Sequence, residues 1–269
     1  MKRIYLNLKR FDVLPEYGGI NKIGAKEEYA TNIVKGIEKM NLSLPVTIFF
    51  QESNLLPALK NKEKVEIGCQ GVHFEDTEPG KNFGAFTSLR TANAMRSIGV
   101  DAVLVGHCEE RMYLNKLLSY GNAQSHVNEI LNAEIKRALA AGLKVLYCIG
   151  EKAEEQDNKY EVLKDQLETG LKDCDLENVS IAYEPVWAIG PGKIPPDREY
   201  IEDIAKHIKS VVPCSIVYGG GLKLENAEMI ASIPELDGGL IALTRFGKDF
   251  GFFLDDFEAI VKKYEGGLK

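Results

Sequence analysis

Apolar residues gather along this chain in short runs rich in β-branched side chains: Ile4–Leu8, Val46–Phe50, Val65–Cys69, Ala102–Val105, Val145–Ile149, Val179–Ala182, Ser215–Tyr218 and Leu240–Leu243. Most are continuous rather than alternating, which is the pattern of strands buried on both faces, as parallel strands are. The segments between them carry a helical period instead. Tyr29, Ile33, Ile37 and Met40 recur at steps of four, four and three. Leu131, Ile135, Ala138 and Leu139 form a second stripe, with Gly142 placed to end it. Ile201, Ile204, Ala205, Ile208 and Val211 form a third, behind Pro195-Pro196 and a candidate N-cap at Asp197. Phe257, Ile260, Val261 and Tyr264 make a last one. Eight strand candidates, mostly followed by helix, predict an α/β fold: a (β/α)8 barrel forming one domain over residues 1–269. The rival is a doubly wound open sheet, which places a glycine-rich fingerprint after its first strand. Here Leu8 is followed by Lys9-Arg10-Phe11-Asp12, and the glycines Gly219-Gly220-Gly221 follow the seventh strand, where barrels often bind phosphate.

Composition narrows this picture without changing it. With 269 residues, 45% of them hydrophobic and 27% charged, the chain has the make-up of a globular protein. A chain of this length buries roughly 70–75% of its unfolded surface and needs no disulfide or metal staple. The 33 basic and 40 acidic side chains leave a net charge of −7, which argues against nonspecific binding to nucleic acid or an anionic membrane. Asn7, Lys9 and Arg10 interrupt the apolar stretch behind Met1-Lys2-Arg3, so no signal peptide is expected, and no apolar run reaches bilayer-spanning length. Five cysteines, at 69, 108, 148, 174 and 214, are odd in number, widely spaced and form no Cys-x-x-Cys pair. Neither a zinc site nor a dithiol is expected, and free thiols suit a cytoplasmic location.

In a barrel, chemistry sits at the C-terminal ends of the strands. Strand one ends at Asn7-Leu8-Lys9, strand four at Gly106-His107-Cys108-Glu109 and strand six at Tyr183-Glu184-Pro185. A lysine, a histidine and two carboxylates would converge there beside the glycine turn of strand seven. The set lacks a hydroxyl nucleophile with its base, and it lacks three closely spaced metal ligands. A carboxylate base, a neutral imidazole donor and a fixed cation suit proton abstraction next to a carbonyl, where an enediolate must be stabilised.

These residues carry a family resemblance. Tyr183-Glu184-Pro185-Val186-Trp187-Ala188-Ile189-Gly190 resembles the signature of the triosephosphate isomerases, which spans their base and flexible lid. Asn7-x-Lys9, Val105-Gly106-His107-Cys108-Glu109, Cys148-Ile149-Gly150-Glu151 and Tyr218-Gly219-Gly220 match in the family's order. The resemblance implies a TIM barrel that interconverts dihydroxyacetone phosphate and glyceraldehyde 3-phosphate without cofactor or metal. It implies that Glu184 shuttles the proton, that His107 is the neutral electrophile, and that Lys9, held by Glu109, offsets negative charge. The family is the standard case of this glutamate–neutral histidine pairing under a water-excluding lid. Asn7 would orient the substrate, Gly190 would offer its N–H to the phosphate, and Gly220, Gly221, Ala242 and Leu243 would complete the phosphate end. The Gly84-Ala85-Phe86-Thr87 stretch resembles the family's subunit-crossing loop and implies a homodimer with Thr87 at its interface.

The departures gather at the phosphate end. Gly221 stands where serine is usual, Ala242-Leu243 replace a Gly-Gly pair, and Pro191 replaces a lid threonine. Leucine does not permit the close approach that glycine does. At the expected interface, Leu89 stands for a glutamate and Glu110 for its arginine partner, a paired loss that suggests a rebuilt contact. Extra residues before Gly84 and between Arg111 and Leu131 are expected to lengthen two loops over the site. These changes keep two alternatives open: an isomerase of a tetrulose phosphate such as erythrulose phosphate, and a phosphosugar-binding barrel without turnover. Arg245 is weighed as a substitute phosphate ligand against a plain surface cation. Trp187 is expected at the lid hinge, Cys148 as a buried small hydrophobe, and His73, His126 and His207 as surface or packing residues.

Overall fold

β1 (Arg3–Asn7) pairs in parallel with β2 (Val46–Phe50) on one side and with β8 (Gly238–Ile241) on the other. That second pairing closes the sheet on itself. Between them run β3 (Glu66–Cys69), β4 (Ala102–Val105), β5 (Lys144–Ile149), β6 (Val179–Tyr183) and β7 (Ser215–Tyr218), so the strands stand in chain order around a closed barrel. The computed structural model describes residues 2–21, 26–121, 126–190, 192–246 and 249–268. The helices are α1 (Glu27–Lys39), α2 (Leu55–Asn61), α3 (Ala92–Ser97), α4 (Cys108–Tyr120), α5 (Val127–Ala140), α6 (Lys159–Gly170), α7 (Arg198–Val211), α8 (Ala227–Ala231) and α9 (Leu254–Gly266).

The continuous apolar runs have a direct physical origin. Alternate strand residues point inward, where Tyr5, Phe49, Leu104, Leu146, Val217 and Leu240 fill the barrel and the Tyr5 and Phe49 rings stack at 6.0 Å. Their neighbours Ile4, Leu6, Ile48, Phe50, Val103 and Ile181 point outward against the helices. Both faces are therefore dry, and each such side chain contributes on the order of 1.5–3 kcal/mol of burial. The four helical stripes become the inner faces of α1, α5, α7 and α9, burying Ile33, Ile135, Ile204 and Ile260 among others. Asp197 caps α7 by accepting the Tyr200 N–H, and Gly142, at φ +76°, turns the chain out of α5.

Two expectations need correction. The eighth strand begins two residues earlier than the apolar run Leu240–Leu243, at Gly238, which pairs with Arg3. A Cβ at Gly238 would stand 1.8 Å from the Arg3 carbonyl oxygen, so only glycine admits this pairing, and glycine carries no apolar signal. Ala242 and Leu243 consequently lie in the loop beyond the strand. The insertion between Arg111 and Leu131 is mostly not a loop, since α4 runs on to Tyr120. Its core-facing Leu114 and Leu118 are only half-buried, and exposed Met112, Tyr113 and Leu117 blur the stripe they would write. Pro191 lies outside the described residues.

Candidate active site

β1, β4, β6, β7 and β8 deliver their C-terminal ends to one cavity of about 300 Å3. Asn7, Lys9, His107, Glu109, Glu184, Gly190, Gly220, Gly221, Ala242 and Leu243 all line it, so the expected catalytic and substrate-binding residues are brought together. A larger groove of about 1040 Å3 lies beside it between α4 and α6. Its wall carries Glu129, Glu154, Glu155, Glu161 and Asp165, a set that repels an anionic substrate.

Glu184 follows β6 and is buried. Its Oε2 accepts the Cys108 N–H at 3.1 Å, and its Oε1 lies 3.2 Å from Nε2 of His107. His107 is the N-cap of α4, and its Nδ1 accepts the Glu109 N–H at 3.3 Å. A ring nitrogen that accepts a backbone N–H carries no proton, so the neutral ring must carry its proton on Nε2, facing Glu184. His107 is therefore a donor aimed into the cavity.

Lys9 reaches the cavity by a strained route. Its φ is +42°, a left-handed conformation that a lysine seldom adopts. The strain is braced locally: Oδ1 of buried Asn7 accepts the Lys9 N–H at 3.0 Å, and Gln70 Nε2 donates to the Lys9 carbonyl at 2.9 Å and to Asn7 Oδ1 at 3.2 Å. The Lys9 ammonium binds Glu109 at 2.7 Å. Burial pulls the lysine pKa down, but the Glu109 charge and hydrogen bond outweigh it and the net direction is up. Burial likewise acts to raise Glu109, yet Lys9 holds it below the usual carboxylate value. Both stay charged at neutral pH.

Oε1 of Glu151, which follows β5, accepts from Tyr183 at 2.9 Å, Trp187 Nε1 at 2.8 Å, Tyr200 at 3.0 Å and Gln156 at 3.1 Å. The Trp187 ring stands edge-on to Tyr200 at 5.6 Å. Gly190, at φ +115°, lines the cavity.

Beneath His107, Glu110 turns inward. Its Oε2 accepts the Gly106 N–H at 2.5 Å, and the carboxyl shares a hydrogen bond with buried Glu134 of α5. Burial raises both carboxyls, and the neighbouring Glu110 charge helps take Glu134 up to about 9. So folded, Glu110 is turned away from the surface where an interface partner would stand. Leu89, beside it in the chain's expected interface, is exposed, as are Thr87 and Phe83.

Cys148 is buried, and burial lifts its thiol well above the ordinary value. His107, Cys108 and Glu184 offer three atoms within 4.8 Å of one another, a spacing that a cation could bridge. Burial and Glu184 push the Cys108 thiol up to about 12, which keeps it protonated and a poor ligand. Arg245 does not line the cavity: its guanidinium pairs with Asp256 at 2.9 and 3.0 Å and lies over Phe253. Lys223 does line it, and the sequence reading missed it. The available signal was its place two residues after Gly221, in the same turn.

A family model described as triosephosphate isomerase matches residues 20–262. A triosephosphate isomerase of Chloroherpeton thalassium is 31% identical over 220 residues, 76% of this chain and 78% of that protein. One of Prosthecochloris aestuarii is 34% identical over 214 residues, 75% of this chain and 76% of its own. The crystal structure of a triosephosphate isomerase from Bartonella henselae superposes with a TM-score of 0.70 at 26% identity, covering 98% of this chain and 99% of that one. The family match begins beyond Asn7 and Lys9, so their place in the site rests on the geometry above.

Proposed function

The chain belongs to the triosephosphate isomerase family, and we propose that it interconverts dihydroxyacetone phosphate and glyceraldehyde 3-phosphate with Glu184, His107 and Lys9 as its catalytic groups. One observation carries the residue assignment: the Glu184 carboxylate and the Nε2–H of His107 meet at 3.2 Å inside a cavity that also holds the Lys9 ammonium.

Glu184 takes a proton from the carbon beside the substrate carbonyl, and the C–H electron pair moves into a carbon–carbon double bond. His107 donates a hydrogen bond from Nε2 to the oxygen that gains charge, and Lys9 offsets the charge of enediolate and phosphate. A proton then passes from the neighbouring hydroxyl to the former carbonyl oxygen by way of His107 Nε2, Glu184 returns its own proton to the adjacent carbon, and the carbonyl re-forms at the carbon first deprotonated, without net oxidation. Asn7 and Glu109 hold Lys9 in place for this. The lid, anchored through Trp187 on Glu151, excludes the water that would otherwise reach the enediolate.

The tetrulose phosphate and binding-only readings gain no support from the compared proteins, which carry the triose name. A complete base, donor and cation set is also more than binding requires. The expected setting is the triose phosphate step shared by glycolysis and gluconeogenesis, in the cytoplasm. Among the described residues no helix is long and apolar enough to cross a membrane.

A homodimer is part of the same reading. Phe83 is 90% exposed and stands with Leu89 and Phe74 on the segment between β3 and α3, where the Thr87 loop is expected to meet its partner. Burying such side chains against a second copy is the usual reason for their presence. The decisive experiment is turnover of dihydroxyacetone phosphate and erythrulose phosphate measured in parallel on the purified protein. Fast triose turnover supports the proposal, and tetrose turnover with negligible triose activity overturns it.

A further inference from the structure

We propose that Lys223 is a phosphate-binding residue of this chain, supplying as an ammonium ion the anion contact that the altered turn after β7 no longer makes through a side-chain hydroxyl. The inference rests on the isomerase reading above and adds to it a residue that determines specificity for a phosphorylated substrate.

Several observations converge on it. Lys223 lines the same cavity as Gly220, Gly221, Leu243, Glu184 and His107. Its Cε lies 3.6 Å from where a Cβ on Gly221 would stand, so the lysine stem occupies the neighbourhood that a side chain at 221 would use. Gly221 itself has φ +92°, a conformation open to glycine and strained for serine. The turn has therefore been rebuilt around the lysine rather than trimmed of one hydroxyl.

The backbone of that turn is fixed. Asn226 Oδ1 accepts the Lys223 N–H at 2.8 Å, Asn226 Nδ2 donates to the Gly221 carbonyl at 3.0 Å, and the Asn226 N–H donates to the Lys223 carbonyl at 3.2 Å. Only the lysine side chain is left to adapt. Its ammonium rests 4.3 Å from the centre of the Phe246 ring and forms no ion pair with a carboxylate among the described residues. An aromatic face holds a cation without neutralising it, and an arriving phosphate need not displace a carboxylate.

Charge balance points the same way. Lys9 is already compensated by Glu109, and Arg245 by Asp255 and Asp256. Of the charged side chains lining the cavity, Lys9 and Lys223 balance Glu109 and Glu184. Without Lys223 the wall would be net negative toward a dianion.

The test compares wild type, Lys223→Met and Lys223→Arg on two substrates, dihydroxyacetone phosphate and the phosphate-free triose glyceraldehyde, together with calorimetric binding of inorganic phosphate. Lys223→Met is expected to lower kcat/KM for dihydroxyacetone phosphate at least tenfold and to weaken inorganic phosphate by a similar factor. Glyceraldehyde turnover should stay unchanged, and Lys223→Arg should recover most of the loss. Equal losses on both trioses, or undiminished phosphate binding in Lys223→Met, overturn the proposal. A wild-type protein inactive on dihydroxyacetone phosphate overturns the isomerase reading instead, and the inorganic phosphate comparison then still decides Lys223.

Discussion

Nε2 of His107 and Oε1 of Glu184 lie 3.2 Å apart, while the other Glu184 oxygen accepts the Cys108 N–H. Both carboxylate oxygens therefore accept from N–H donors. Glu184→Gln keeps the size of the side chain and one of the two accepting contacts, and it loses the capacity to take up a proton. Turnover of dihydroxyacetone phosphate is expected to fall by about 10³-fold or more, with affinity for a phosphosugar inhibitor within a few-fold of wild type. Single-substrate kinetics and inhibitor titration check this, and near-normal kcat in the variant would reassign the base.

Glu109 holds the Lys9 ammonium at 2.7 Å but is itself half-exposed, so solvent screens part of the interaction. Glu109→Gln should leave Lys9 charged but less well placed, lowering kcat/KM by about tenfold, the low end for a charge-assisted hydrogen bond. Lys9→Met removes the cation itself and should cost far more. Equal effects of the two variants would mean that Glu109 does more than position the lysine.

Leu243 lines the phosphate end from beyond β8. If its side chain keeps the phosphate from the backbone, Leu243→Gly should lower the KM for dihydroxyacetone phosphate several-fold. Steady-state kinetics decide it: an unchanged or raised KM would show that the leucine is packed out of the substrate's way.

The Glu110–Glu134 pair makes stability depend on pH. Burial raises both carboxyls, with Arg90 and Arg111 opposing, and Glu134 is pushed from its ordinary 4.5 up to about 9. The folded state therefore binds a proton that the unfolded state releases near its ordinary carboxylate pKa. The stability this contributes is full below that value and is lost as pH rises through the folded one, between about pH 4.5 and 9. The melting temperature of wild type should drop across that window by several degrees, and Glu134→Gln should flatten the drop. A decline of equal slope in both proteins would place its origin elsewhere.

Much of this was legible in the order of residues. Seven of the eight apolar runs fell on strands to within a residue or so, because a parallel barrel strand is dry on both faces and must be apolar throughout. The eighth was misplaced because Gly238 and Gly239 pair by being small, and smallness leaves no hydrophobic trace. α4 escaped notice because only Leu114 and Leu118 pack on the core, and the exposed Met112, Tyr113 and Leu117 blur their period. Glu184, His107 and Lys9 could be placed because each ends a strand, and strand ends converge by topology alone.

Charges at the phosphate end were a different matter. Arg245 and Lys223 both flank that wall in sequence, each two residues beyond an expected phosphate-end residue, Leu243 and Gly221. Folding brings Asp255 and Asp256 of α9 to Arg245 and consumes its charge, while the Lys223 ammonium rests over the face of Phe246 and pairs with no carboxylate among the described residues. Glu110 was likewise read as a lost interface residue, yet the packing of α4 against α5 turns it onto Gly106 and Glu134. Hydrophobic periodicity is a property of each segment, since every buried face meets the same kind of neighbour, and so the chain itself specifies the barrel and its strand-end chemistry. A charge takes its meaning from one particular partner tens of residues away, and only the folded chain decides which partner that is.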